Sequence, residues 1–214
     1  GTLTATSSIN LSAIVGTNYT VTAVYWSRSG NYLAVMTNGS SGSYLLVYSV
    51  VSGVATLVSS TKIVNSIGQN LTQNVLVWDP TNRYIALGMA ENTKNTQLQV
   101  YYFNGVTITP VVQAGTGSSN VITIDWNSIS NAIVASIQSG ALNVYSFVST
   151  TSTLTQSSTI TMPGTSYINQ LAYSLNGYLL ATVGNQGAGV NNIYDYNVTS
   201  SVLTQLYNII TTPP

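Results

Sequence analysis

One pattern recurs four times along the chain and limits the folds that the chain can adopt. Residues 24–35, 76–87, 124–135 and 171–182 align without gaps. Each copy carries an aromatic anchor, and the anchors, spaced by 52, 48 and 47 residues, are Trp26, Trp78, Trp126 and Tyr173. A period of about 50 residues is typical of repeat architectures, in which each unit covers the apolar face of its neighbour.

The residues around each anchor predict β-strands. The anchor is followed by a turn of Ser, Asp, Asn, Pro or Gly and then by an apolar run, which indicates a strand, a tight turn and a second strand. A third apolar run follows at residues 45–50, 98–103, 142–147 and 192–196. A fourth run, in which apolar and polar residues alternate, covers residues 54–58, 106–111, 154–160 and 202–206. Each unit is therefore predicted to contain four antiparallel strands.

The aromatic anchor, its turn and the following Tyr-Leu-Ala-type run resemble the blade of the WD-repeat and related β-propeller families. The resemblance covers residues 20–210. The Gly-His dipeptide and the terminal Trp-Asp of that family are missing, and pairs such as Val47-Tyr48 occupy the second position. What the resemblance implies is the architecture alone. We expect an all-β fold of propeller-type blades, four repeats of four antiparallel strands plus one extra N-terminal strand.

The predicted domain spans residues 1–214, with blades at 20–70, 71–119, 120–166 and 167–214. Residues 1–19 remain as a spare fourth strand and a loop, because residues 2–11 resemble residues 153–162. Three explanations of this strand stay open. The chain is a piece of a longer propeller, or a terminal segment is irregular, or the strand completes the sheet of a neighbouring molecule. In the last case the candidate assembly residues are Leu3, Ile9 and Leu11.

The chain is almost free of charge. Four basic and four acidic residues make up 4% of it, against about 25% in an ordinary soluble domain. Such a surface creates little long-range field, so we expect no nucleic-acid partner. No apolar run approaches the roughly 20 residues of a membrane span, so we expect no membrane insertion. Near-zero net charge favours association, which predicts self-assembly as homo-oligomer or polymer, with other surface proteins or glycans as further candidate partners.

Few groups titrate between acid and neutral pH, since the chain has no His and only four carboxylates. This property fits an extracellular location or a cell or virion surface, which we predict. Candidate glycosylation sequons at four positions agree with it, although sequons occur here about as often as chance gives. They are Asn18, Asn38, Asn70 and Asn197.

The side chains of this sequence exclude most nucleophilic chemistry. Without His or Cys, the Ser-His-Asp and Cys-His arrangements cannot form. The four carboxylates show no convergent spacing, and we expect neither a catalytic residue, nor a cofactor, nor a metal. Asp79 is expected to cap a turn. Asp125 is expected to face away from Trp126, toward solvent or a neighbouring blade.

The composition and the repeat together predict a non-enzymatic structural protein. It would assemble into a polymer, fibre or coat through β-strand donation or blade packing. The alternative is a protein- or glycan-binding propeller module. Three tyrosines that do not belong to the repeat are the candidate contact surface: Tyr19, Tyr167 and Tyr207.

Overall fold

A computed structural model describes residues 8–66, 75–90, 94–117, 119–161, 167–184, 191–199 and 202–211. These residues form four sheets of four antiparallel strands, in chain order. Sheet 1 contains β1 (Tyr19–Trp26), β2 (Tyr32–Gly39), β3 (Gly42–Val51) and β4 (Val54–Lys62). Sheet 2 contains β5 (Val75–Trp78), β6 (Tyr84–Gly88), β7 (Leu98–Phe103) and β8 (Ile108–Ala114). Sheet 3 contains β9 (Val121–Trp126), β10 (Ala132–Ile137), β11 (Ala141–Val148) and β12 (Thr153–Thr161). Sheet 4 contains β13 (Tyr167–Tyr173), β14 (Tyr178–Gly184), β15 (Asn191–Thr199) and β16 (Val202–Thr211).

The predicted four-strand units are confirmed, and the anchors hold the same place in each of them. Every anchor ends the first strand of its sheet and pairs with an aliphatic residue of the second. The fourth copy differs slightly. Trp26 pairs with Leu33, seven residues later, whereas Tyr173 pairs with Leu179, six residues later. The turn after Tyr173 is therefore one residue shorter than the gapless alignment implies.

Residues 8–11, the described part of the predicted extra strand, are not in a strand. Leu11 precedes a short helix, α1 (Ser12–Val15). Together with Ile14 and Val15, Leu11 packs on a cluster of sheet 1 formed by Val35, Leu46 and Tyr48. Ile9 is exposed, and Leu3 lies outside the described residues. The described end of this segment therefore covers its own molecule's first sheet.

The sheets pack face to face through their aromatic anchors. Trp78 is fully buried against Ala34, Met36 and Val47 of sheet 1 and makes an edge contact with Phe103, the ring centroids 5.8 Å apart. Trp126 is buried in the same way between sheets 2 and 3, and Tyr173 packs on the cluster between sheets 3 and 4.

Trp26 departs from this arrangement. The other three anchors pack between sheets, but 50% of the Trp26 surface is exposed. The reason is that no sheet precedes sheet 1 among the described residues, and the cluster that Leu11 and α1 cover on that face does not include Trp26.

Asp79 caps the turn between β5 and β6, as expected. Its carboxylate is buried and accepts hydrogen bonds from the backbone N–H groups of Thr81, Arg83 and Tyr84, at 3.1, 2.8 and 2.7 Å, and from the Thr81 hydroxyl. The equivalent Ser27 of sheet 1 accepts one such bond, from Tyr32. Asp79 therefore holds its turn through more bonds than its counterpart does.

Replacing Asp79 by Ala should lower the free energy of unfolding by about 2–3 kcal/mol, because buried N–H groups lose a charged acceptor. Asp79→Asn keeps one acceptor oxygen and should cost about half as much. Urea denaturation of the three proteins measures both values. Equal stability of Asp79→Ala and the parent chain would contradict this role.

Buried tyrosines should make the fold sensitive to alkali. Tyr101 is fully buried, donates to Gln99 Oε1 at 2.7 Å and accepts from the Val64 N–H at 3.1 Å. Burial raises the pKa of Tyr101 from 10.0 to about 12, against a smaller lowering by the Val64 bond. Because the folded state holds this proton more tightly than the unfolded state, the contribution is complete below pH 10. It is lost as the pH rises toward 12.

We expect cooperative unfolding between about pH 10 and pH 12, with a loss of about 3 kcal/mol assignable to Tyr101. Circular dichroism and tyrosinate absorbance, followed together, measure it. Tyr101→Phe should show a shallower fall in stability over the same range. Ionisation of every tyrosine near pH 10 with the fold intact would exclude this explanation.

Candidate functional site

The first strands of the four sheets, β1, β5, β9 and β13, line a cavity of about 510 Å³. Neighbouring first strands contact one another in the order β1, β5, β9, β13. About half of the lining residues are aliphatic, and Thr22, Thr123 and Gln170 add hydroxyl and amide groups. Tyr25 and Asp125 add a phenol and a carboxylate. The wall of the cavity thus combines apolar and polar groups in about equal measure.

Asp125 is the charged residue among the side chains that line this cavity. It is half-buried on β9, and its two oxygens accept backbone N–H groups of two blades. Oδ1 accepts from Trp126 at 2.8 Å, and Oδ2 accepts from Tyr173 at 2.6 Å. Both bonds fix the carboxylate at the cavity wall.

The environment shifts the proton affinity of this carboxylate. Burial raises the pKa of Asp125 above its ordinary value, while the N–H groups of Tyr173 and Trp126 and the positive charge of Arg28 oppose that rise. A carboxylate with a raised pKa is a better proton acceptor near neutral pH. Perturbed carboxyl groups in clefts are frequent at functional sites.

Arg28 reaches the same region from the turn between β1 and β2. Its Nη2 donates to the Trp126 carbonyl at 3.2 Å, so the side chain spans from sheet 1 to sheet 3. A guanidinium carries five N–H donors, and this bond uses one of them. Arg28 is exposed and lies beside the cavity, outside the set of residues that line it.

Tyr25 completes the group. Burial raises the pKa of the Tyr25 phenol, the charge of Asp125 raises it further, and Arg28 lowers it. The three side chains are therefore electrostatic neighbours. The backbone carbonyl of Tyr25 accepts the indole N–H of Trp78 at 3.2 Å, which ties this part of β1 to sheet 2.

Comparison with known proteins gives a likeness in structure alone. No family model and no curated protein matches the sequence. A putative 6-phosphogluconolactonase from Bacteroides uniformis is similar, with a TM-score of 0.68, 14% identity and 95% of this chain covered. A periplasmic gluconolactonase from Pseudomonas aeruginosa is similar with a TM-score of 0.68, 13% identity and 89% covered. A Lactobacillus plantarum protein gives 0.70, 18% and 91%.

The chain is an all-β, propeller-type protein. It spans 59%, 57% and 56% of those three structures, less than two thirds of each. The predicted fold class is confirmed, whereas a specific WD-repeat family is not shown.

The predicted function is wrong. We expected a non-enzymatic structural protein that self-assembles into a filament or coat, but two of the similar propellers are named as lactonases. The alternative, a protein- or glycan-binding module, is not supported either. The expectation of no enzyme placed weight on the missing His and Cys, although a single carboxylate can activate water.

Asp125 faces a neighbouring blade, which was one of the two expected directions, but its place in the cavity was missed. A signal for it exists in the repeat. Of the four residues that precede the anchors, Tyr25, Val77, Asp125 and Ala172, only Asp125 is acidic.

The other carboxylates do not join Asp125. Asp79 caps its turn, Asp195 lies on β15, the third strand of its sheet, and Glu91 lies outside the described residues. Within the described ranges, no three metal-ligating side chains form a group.

The remaining candidate residues are scattered. Asn18 is exposed with φ 70°, whereas Asn38 is half-buried on β2 and accepts from the Ser43 hydroxyl at 3.4 Å. Asn197 lies on β15, and Asn70 is outside the described residues. Their glycosylation stays a prediction.

Tyr19, one of the three candidate contact tyrosines, is half-buried and packs edge-on against Tyr44, with ring centroids 5.5 Å apart. Tyr167 and Tyr207 lie on β13 and β16. Their side chains are outside the described part of the structure, so their contact role stays a prediction.

Proposed function

We propose that this chain hydrolyses the ester bond of a sugar lactone, with Asp125 as the general base. The observation that carries the proposal is the position of this carboxylate in the wall of the central cavity, where the N–H groups of Trp126 and Tyr173 hold it. The lactonase names of two similar propellers support the choice of substrate class. The chain covers less than two thirds of each of those structures, so the activity in their names enters here as part of the proposal.

The reaction requires a base, an oxyanion donor and water. Asp125 takes a proton from water while the water oxygen attacks the lactone carbonyl carbon. The Arg28 guanidinium donates to the carbonyl oxygen, where negative charge develops. The bond between the carbonyl carbon and the ring oxygen then breaks. Asp125 returns the proton to the ring oxygen, which leaves as a hydroxyl, and the product is a hydroxy acid.

A direct attack by water fits the residues that this chain contains. Covalent routes through Ser-His or Cys-His pairs are excluded by the sequence, which has neither His nor Cys. A carboxylate base needs no such partner. Tyr25, next to Asp125 and Arg28, adds a phenolic donor for the substrate.

Export from the cytoplasm belongs to the same proposal. One similar structure is a periplasmic protein, which supports export. Among the described residues, no helix reaches the length and apolarity that a membrane crossing needs. Within this proposal, we place the exported protein at an extracellular surface. The aromatic anchor, its turn and the apolar run that follows also support a distant relation to WD-repeat propellers.

The test is proton release from glucono-1,5-lactone by the purified chain, followed with an indicator dye. Because lactones also hydrolyse spontaneously, the rate must exceed the protein-free rate in proportion to protein concentration. A rate equal to that background at every protein concentration would refute the proposal.

A further inference from the structure

We propose that the cavity selects uncharged sugar lactones and discriminates against phosphorylated ones. This inference rests on the proposed function and names its substrate class. Structures named for both substrate types share the fold, so the fold does not decide between them.

The first argument is the position of the positive charges. The whole sequence contains four, and all lie within the described residues: Arg28, Lys62, Arg83 and Lys94. None lines the central cavity. Lys62 ends β4, the outermost strand of sheet 1. The Arg83 side chain lies in two outer clefts beside Tyr102, of about 260 and 270 Å³.

Arg28 is the basic residue beside the cavity, where its Nη2 donates at 3.2 Å to the carbonyl of Trp126, the residue after Asp125. Arg28 and Asp125 are close enough for the guanidinium to oppose the rise in the Asp125 pKa. One cation and one anion leave the site with little net charge. A phosphate monoester brings nearly two negative charges at neutral pH. Held in the cavity, it meets the Asp125 carboxylate with no second cation to balance it.

The polar groups of the wall suit a neutral sugar. Thr22, Thr123 and Gln170 carry neutral hydroxyl and amide groups, the kind that pairs with sugar hydroxyls without charge. The Thr22 hydroxyl already donates to the Met36 carbonyl at 3.2 Å, which leaves it as an acceptor for a sugar. The rest of the lining is largely aliphatic. No lining residue is basic, so the wall offers a phosphate no cation in exchange for its lost water.

The experiment compares kcat/KM for glucono-1,5-lactone and its 6-phosphate with the purified chain at low ionic strength. We expect at least a tenfold preference for the uncharged lactone, and a smaller preference at high salt because exposed charges are screened. Equal values, or a preference for the phosphate, would overturn the inference while leaving lactone hydrolysis in place.

Binding separates this inference from the hydrolytic proposal. Calorimetry with the uncharged lactam analogue and its phosphate should show the same order of affinity. Selective binding of the uncharged lactam without any hydrolysis would refute the proposed reaction and support the selectivity. Failure of the uncharged lactam to bind would overturn the selectivity itself.

A variant tests the physical cause. Gln170 is exposed on β13 and lines the cavity, so Gln170→Arg adds the missing cation. It should raise the relative kcat/KM for the phosphorylated lactone about tenfold, whereas the uncharged control Gln170→Met should not. The same change of ratio in both variants would show that charge is not the determinant.

Discussion

Asp125→Asn should lower kcat for lactone hydrolysis by about 10²–10⁴-fold, the usual effect of removing a general base. An amide cannot take the proton from water, and its nitrogen cannot accept the N–H of Trp126 or Tyr173. The rate of the parent chain should fall as the pH is lowered through a carboxyl pKa above that of ordinary Asp, since burial favours the protonated form. Initial rates from acid to neutral pH measure both effects.

Asp79→Asn is the matched control, because it makes the same chemical change in a turn outside the cavity. It should keep the hydrolytic rate per folded molecule. Thermal denaturation of both variants separates lost activity from lost fold. A rate within about threefold of the parent in Asp125→Asn would remove this carboxylate from the mechanism.

Trp78→Ala should lower the free energy of unfolding by about 3–5 kcal/mol, the cost of emptying a fully buried aromatic site. Trp78 fills the space between sheets 1 and 2 and donates to the Tyr25 carbonyl at 3.2 Å. The midpoint of thermal unfolding should fall by roughly 6–20 °C in a chain of this size. Urea denaturation gives the free energy directly.

Trp26→Ala is the matched control for packing, since Trp26 holds the same repeat position but is 50% exposed. It should cost about 1 kcal/mol or less. A loss as large as that of Trp78→Ala would mean that Trp26 is buried against a neighbour in solution. That result would contradict the exposed position of Trp26 on sheet 1.

The strands were predictable because every unit repeats the same local signals, and local signals determine strands and turns well. The burial of an anchor was not, because it depends on the neighbouring sheet. Trp26 and Trp78 have similar local sequences and opposite exposure. Near the N-terminus, the Thr-rich run resembles a strand, yet Leu11, Ile14 and Val15 have helical spacing and pack together on sheet 1.

The site was predictable only in part. The acidic residue before the third anchor stands out within the repeat, but its partner does not. Arg28 bonds the carbonyl of Trp126, a residue 98 positions away, because the turns of successive sheets gather at one end of the cavity. The spacing of these residues along the sequence does not predict that contact. The composition indicated a surface almost without charge, but composition does not predict where a single carboxylate such as Asp125 lies.

The claim that Asp125 and Arg28 form the lactone site is tested most directly by a crystal structure of the chain with the lactam analogue of glucono-1,5-lactone. We predict the analogue in the cavity between β1, β5, β9 and β13, with its carbonyl oxygen on Arg28 and its carbonyl carbon facing the Asp125 carboxylate. Binding in an outer cleft with the cavity empty would contradict the claim.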